Sequence, residues 1–299
     1  MIEIAFHHLY AHALPAGHRF PMEKYELIPA QLLHEGTIAK ENLIEPEPID
    51  DDIVLLTHDK VYVQKLQSQT LTTAEERKIG FPQSAALTLR EWLITQGTIN
   101  CCLSAFKNGI ALNVAGGTHH AFSDHGEGFC LLNDFAVAAN YLLWKKFVNQ
   151  ILIIDVDVHQ GNGTAAIFEH NPNVFTFSMH GAHNYPFHKT ISNIDVPLPD
   201  GTDDYTYITR LQEAIQYLLP LVKPDIVFYL SGVDILQTDK YGKLNISMNG
   251  CKKRDEIVFK ACKQQGIPVV AAMGGGYSPD IRTIIEAHCN TFRTALHLY

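Results

Sequence analysis

No Cys-x-x-Cys pair occurs among the six cysteines, Cys101, Cys102, Cys130, Cys251, Cys262 and Cys289. Neither a zinc ribbon nor a dithiol redox centre is expected, and reduced thiols in a cytoplasmic protein are. The start Met1-Ile-Glu-Ile-Ala-Phe6 lacks the charged region and cleavage site of a signal peptide. No apolar run approaches the roughly 18 residues of a spanning helix, so no membrane contact is expected. A basic surplus is missing as well: 23 Lys and Arg stand against 32 Asp and Glu, a formal net charge of −9. That balance argues against direct nucleic-acid binding and points mildly to cationic substrates. No repeat, low-complexity block or linker divides the chain, and Ser68 to Lys78 reads as surface loop, so one domain over residues 1–299 is expected.

What the chain has is a series of apolar, β-branched runs: Ile2 to Phe6, Ile53 to Leu56, Ile110 to Ala115, Ile151 to Asp155, Val174 to Phe177, Ile226 to Leu230 and Ile267 to Met273. Segments of helical period separate most of them, among them Asn133 to Phe147, Asp204 to Leu219, Gly250 to Gln265 and Ser278 to Leu296. Such alternation predicts an α/β fold, a mainly parallel sheet flanked by helices. Four of the runs pass at once into polar or glycine-rich sequence: Gly116-Gly-Thr-His119-His120, Asp157-Val-His159, Ser231-Gly-Val-Asp234 and Gly274-Gly-Gly-Tyr277. Parallel strands put all four endings on one edge, so the site is expected at the C-terminal ends of the strands.

Asp157 and His159 lie two apart in extended chain and face the same way, which lets both reach one cation. Alone, such a pair serves as well for a helix cap and a solvated histidine. With Asp234 it makes three oxygen and imidazole ligands and leaves a position open for water and substrate, as catalytic zinc sites require. Two carboxylates cancel the charge of a divalent ion, so a separate base is needed, and His119 and His120 are candidates. Asp155 and Asn162 could hold their far nitrogens, making the Asp155-linked imidazole the more cationic and the Asn162-linked one the better base. Tyr277 can donate to an oxyanion. Phe129 can wall a narrow apolar channel, Asn133 can cap the following helix, and Cys130 reads as buried and inert.

At these residues the chain resembles the histone deacetylase family over nearly its whole length. Gly116-Gly-Thr-His-His120, Gly128-Phe-Cys130, Asp155-Val-Asp-Val-His159 and Gly274-Gly-Gly-Tyr277 stand in that family's order, and Ser123 to Phe129, His159 to Gly163, Val233 to Leu236 and Lys253 to Glu256 look most like its class IV branch and bacterial relatives. The resemblance implies an arginase/deacetylase-like fold and zinc, or ferrous iron, on Asp157, His159 and Asp234. It also implies His120 as general acid/base, His119 as electrostatic helper, and Tyr277 polarising the acyl carbonyl. Gly128, Phe129, Tyr185 and Gly275 would line the acyl tunnel, and a structural potassium ion would sit near Asp155, Asp157, His159, Ser178 and Met179. The implied reaction removes an acetyl or longer acyl group from lysine in a protein or peptide, or from a small acylated amine.

Asn162 stands where class I members carry aspartate, and no aspartate lies between Asp59 and Asp124, so their acidic clamp on a peptide backbone is expected to be missing. A two-manganese ureohydrolase would need Gly161 to be acidic and a paired Asp-x-Asp at Asp234, and has neither. A non-catalytic acyl-lysine binding module would keep metal and tunnel, but His119, His120 and Tyr277 argue for retained chemistry.

Overall fold

The computed structural model describes residues 1–299. Eight strands form one sheet in the order β2-β1-β3-β8-β7-β4-β5-β6: β1 Glu3–Ala5, β2 Leu43–Ile44, β3 Ile110–Asn113, β4 Ile151–Asp155, β5 Val174–Gly181, β6 Ile194–Leu198, β7 Ile226–Leu230 and β8 Val269–Ala272. Every neighbouring pair is parallel. β3, β4, β7 and β8 are buried throughout, as continuous apolar runs with helices on their faces must be. β6 contains Pro197, which has no N–H to give, and it lies at the edge of the sheet, where none is needed on the outer side.

The four expected strand endings are neighbours, because β3, β8, β7 and β4 are consecutive in the sheet. Registers Leu152↔Val227 and Val227↔Val269 bring their C-terminal ends level. Helices Asp134–Trp144, Asp204–Val222, Met248–Gln265 and Ile281–Leu298 fall where the periodicity places them, within a few residues. Asn133 caps the first by accepting from Ala136 N–H at 3.1 Å.

Three expectations need correction. Ile53 to Leu56 is not a strand: the acids Asp50, Asp51 and Asp52 precede it, and Asp51–Val54 is a single helical turn with Leu55 exposed. Ser68 to Lys78 is not simply loop, because Thr73–Ile79 is a helix opened by a capping box in which Thr72 and Glu75 satisfy each other's backbone N–H groups. The longest helix, Ala85–Asn108, was not among those expected. Its buried positions include Arg90, Glu91, Thr95 and Thr98 beside the apolar ones, so it shows no clean apolar stripe.

Candidate active site

β4 ends in Asp155, and the chain beyond it turns Asp157 and His159 inward. Asp234 arrives from the segment after β7. That segment is pinned by Arg254, fully buried, which donates Nη2 to Ser231 carbonyl at 2.9 Å and Nη1 to Gly232 carbonyl, and pairs with Asp255 at 2.8 Å. Asp234 Oδ1 accepts from Val158 N–H at 3.0 Å, and Asp157 Oδ2 from Gly275 N–H at 2.8 Å. His159 Nδ1 lies 3.0 Å from Asp157 Oδ1 and 3.1 Å from Asp234 Oδ2. Each of the three residues therefore offers one ligand atom, all within 4.8 Å of one another.

Burial and the neighbouring Asp157 charge push the Asp234 carboxyl up to about 7. Burial also opposes a charge on His159, yet hydrogen bonds to both carboxylates overcome it and raise the imidazole to about 10. The cluster thus demands positive charge at the point where the three donors meet. A divalent cation satisfies that demand, and two carboxylate oxygens with one imidazole are donors of the kinds that hold zinc. The residues fit a metal.

Close approach of the backbone is what lets them converge. A Cβ on Gly275 would stand 2.0 Å from Asp234 Oδ2, so no side chain but hydrogen fits there. Gly128 combines φ +56 with a Cβ position only 2.6 Å from the His120 ring, and glycine relieves both.

His119 Nδ1 is 2.7 Å from Asp155 Oδ2, and His120 Nδ1 is 2.7 Å from Asn162 Oδ1. For His119, burial disfavours the charge, but the charge and hydrogen bond of Asp155 outweigh it and the pKa is raised. For His120, burial and the nearby His119 and His159 charges drive the pKa well below its usual value. An amide oxygen only accepts, so Asn162 fixes the proton on His120 Nδ1 and leaves Nε2 with a free lone pair. The two histidines differ in the sense that their partners predict.

The site opens through a cavity of about 590 Å³, lined among others by His120, His159, Gly128, Phe129, Tyr185 and Tyr277. A narrower continuation beneath it reaches Gly275 and Asp157. The Tyr185 ring stands edge-on to His120 at 5.1 Å, and Tyr277 lies 5.9 Å from Phe129, centroid to centroid. Burial raises the Tyr277 phenol well above its usual pKa, with Asp234 and Asp157 adding to the effect. Ser178 pairs with Asp155 across β4 and β5, with Met179 next to it and fully buried.

A family model described as the histone deacetylase domain matches residues 18–292. The chain belongs to the histone deacetylase family. Histone deacetylase 2 of Arabidopsis thaliana is 30% identical over 292 residues, covering 93% of this chain and 75% of that one. The acetoin utilization protein AcuC of Staphylococcus aureus is 26% identical, over 87% of this chain and 73% of its own. A crystal structure of a histone deacetylase homologue complexed with SAHA superposes with a TM-score of 0.85 at 25% identity, covering all of this chain and 84% of that one. The fold is that of the family, the arginase/deacetylase-like arrangement. Family membership supports a deacetylase hydrolase that acts on acetylated lysine. No helix is long and apolar enough to cross a membrane.

Several residues that shape this histone deacetylase-family site carried no role in the sequence reading. Glu127 Oε1 accepts from Asn162 Nδ2 at 2.5 Å, and its other oxygen pairs with Lys78 at 2.9 Å. Burial works against the Glu127 charge, and bonds from Lys78, Asn162 and Tyr185 overcome it, holding the carboxyl below its usual range. Asp239 accepts from Tyr277 N–H at 2.6 Å and fixes the start of that segment. Lys24, fully buried, donates to Gly274 carbonyl at 3.0 Å and stands 5.9 Å from the Tyr277 ring centre. Burial lowers its ammonium to about 8. Glu127 was visible between two glycines, whereas nothing local marks Lys24.

Proposed function

We propose that residues 1–299 form one catalytic domain, a metal-dependent hydrolase that removes acyl groups from lysine side chains or similar acylated amines. The observation that carries this reading is the meeting of Asp157, His159 and Asp234 beside an imidazole, His120, whose free Nε2 is fixed by Asn162. Asp157, His159 and Asp234 hold the metal; zinc is the reading from the donor set, and ferrous iron shares those ligands. Bound there, a divalent cation polarises the acyl carbonyl and lowers the pKa of water.

His120 Nε2 takes a proton from the attacking water as the water adds to the carbonyl carbon. It then delivers that proton to the departing amine nitrogen as the C–N bond breaks. His119, made more readily cationic by Asp155, is the electrostatic helper close to the developing oxyanion. Tyr277, kept protonated by burial, donates its hydroxyl hydrogen to the same oxygen. Gly128, Phe129 and Tyr185 wall the slot through which a lysine stem reaches the site, and Gly275 lines its floor. A structural potassium ion near Asp155, Asp157, His159, Ser178 and Met179 belongs to the same reading, resting on the family resemblance and on the pairing of Asp155 with Ser178. Six unpaired, buried cysteines suit a reducing compartment such as the cytoplasm.

The test is turnover of an acetyl-lysine peptide by metal-loaded protein, with and without chelator, for the wild type and His120→Ala. Chelation should abolish turnover, and His120→Ala should lose nearly all of it while retaining metal. Normal rates in His120→Ala would refute the base assignment, and turnover by fully metal-free protein would refute metal dependence.

A further inference from the structure

The mouth of the tunnel carries a charge opposite to that of the chain as a whole. Arg19, Arg77, Lys78 and Lys243 line the 590 Å³ cavity, and no aspartate or glutamate lines it. This departs from the cationic substrates suggested by the net charge of −9, because net charge averages a surface whose acids lie elsewhere. Two of the four cations are engaged: Lys78 pairs with Glu127 at 2.9 Å, and Lys243 donates to His183 carbonyl at 3.0 Å and reaches Asp200 only at 4.0 Å. Arg19 and Arg77 are exposed and have no carboxylate within 4.0 Å. Arg19 lies over the rings of Phe129 at 5.1 Å and Tyr241 at 5.9 Å, so its guanidinium is held above the slot rather than loose in solvent. Arg77 is set at the rim by the capped helix Thr73–Ile79, next to Lys78.

We propose that this site selects acylated amines that carry a carboxylate at the far end of the stem from the acylated nitrogen, with Arg19 and Arg77 as the specificity-determining residues. The inference rests on the deacylase reading and deepens it. A lysine stem occupying the slot leaves the groups next to it at the rim, where the two arginines meet them. A carboxylate there gains an ion pair, whereas an acyl-lysine set among lysines and arginines meets like charge. The carboxylate can come from acidic residues flanking an acyl-lysine in a peptide or from the carboxyl group of free acyl-lysine itself. Exposed ion pairs are each worth up to about a five-fold change, so two arginines together give a preference of roughly ten-fold.

The experiment measures kcat/KM for three acetyl-lysine peptides of equal length whose flanks are glutamate, glutamine or lysine, and for free Nε-acetyl-lysine against its carboxyamide. Each is run at about 0.05 M and about 1 M salt, which moves the screening length from beyond 10 Å to about 3 Å. The proposal expects the glutamate peptide to exceed the lysine peptide by roughly ten-fold or more at low salt, mostly through KM, with the gap closing at high salt. The double variant Arg19→Gln/Arg77→Gln should lose most of that ratio. If only free Nε-acetyl-lysine gains over its amide, the inference stands with a small molecule as the source of the carboxylate. Equal rates on all substrates, a preference for lysine flanks, or a double variant that keeps the acidic preference would overturn it while leaving the deacylase reading intact. No turnover of any substrate by metal-loaded enzyme would overturn both.

Discussion

Replacing Gly275 by alanine asks whether the two carboxylates are held where a metal needs them. Gly275 has no left-handed backbone angle, so alanine adds no conformational strain, and the effect is one of space alone. The new methyl would stand 2.0 Å from Asp234 Oδ2 and 2.8 Å from Asp157 Oδ2, where ordinary contacts begin at 3.4 Å. Relief requires the Asp234 carboxylate to retreat by about 1.4 Å, and a misplacement of about 1 Å already costs on the order of 10²-fold in rate at a reacting centre. If the loop yields instead, the 2.8 Å bond from Gly275 N–H to Asp157 is lost. A hydrogen bond to a charged group contributes about 1.5–3 kcal/mol, so either route weakens the cluster. The expected outcome is a metal affinity at least ~10-fold lower and kcat/KM lower by ~10², with the fold retained. Elemental analysis after dialysis against a metal buffer, steady-state kinetics and thermal melting read the three quantities separately. Gly201→Ala is the control: φ is +76, and nothing lies within 4 Å of the new Cβ. It should lose about 1 kcal/mol of stability from left-handed strain, with metal content and kcat/KM unaltered. A Gly275→Ala protein that binds metal and turns over like the wild type would refute the geometry on which the site rests.

Tyr277→Phe should lower kcat by ~10²- to 10³-fold if its hydroxyl meets the oxyanion, and an unchanged kcat would remove it from the reaction. Glu127→Ala frees the Asn162 amide that orients His120, so kcat should fall by about 10-fold with metal content intact, the worth of one charge-assisted hydrogen bond. His58 tests the core: it is buried, its Nε2 accepts from Asn133 N–H at 2.9 Å, and burial holds its pKa down to about 4. An unfolded histidine titrates near 6.5, so the folded state binds fewer protons. Stability from this group is complete above pH 6.5 and falls as pH drops toward 4, by up to about 3 kcal/mol. The His58 ring signals in an NMR titration should stay those of the neutral form at pH 5, and an ordinary titration near 6.5 would contradict the burial.

The parts of the fold that the sequence reveals are those governed by short-range patterns. β4 and β7 are apolar runs whose bounds coincide with Ile151 to Asp155 and Ile226 to Leu230, because a parallel strand covered on both faces has no polar position to blur its ends. β2 has two residues and β6 is a partly exposed edge with a proline, so neither carries a run long enough to register. The same contrast holds at the site. Asp157, His159, His119 and His120 belong to short motifs that follow buried strands, and although the structure holds them in bends and a turn rather than in extended chain, their place at the sheet edge was legible from the strand that precedes each. Asp155 and Asn162 were legible as partners because a histidine used as a base needs its far nitrogen held. Glu127, Lys24 and Asp239 act across the sheet edge: Glu127 is 35 residues from Asn162, Asp239 is 38 from Tyr277, and Lys24 is 250 from Gly274. Their roles follow only from the register that aligns β3, β8, β7 and β4. The charge of the tunnel mouth is of this kind too. Arg19, Arg77 and Lys243 come from three distant segments, so composition sees an acidic chain while an entering substrate meets cations. On the proposed selectivity, substrate choice follows the field at the entrance rather than the sum over the chain, a quantity that residue counts do not contain.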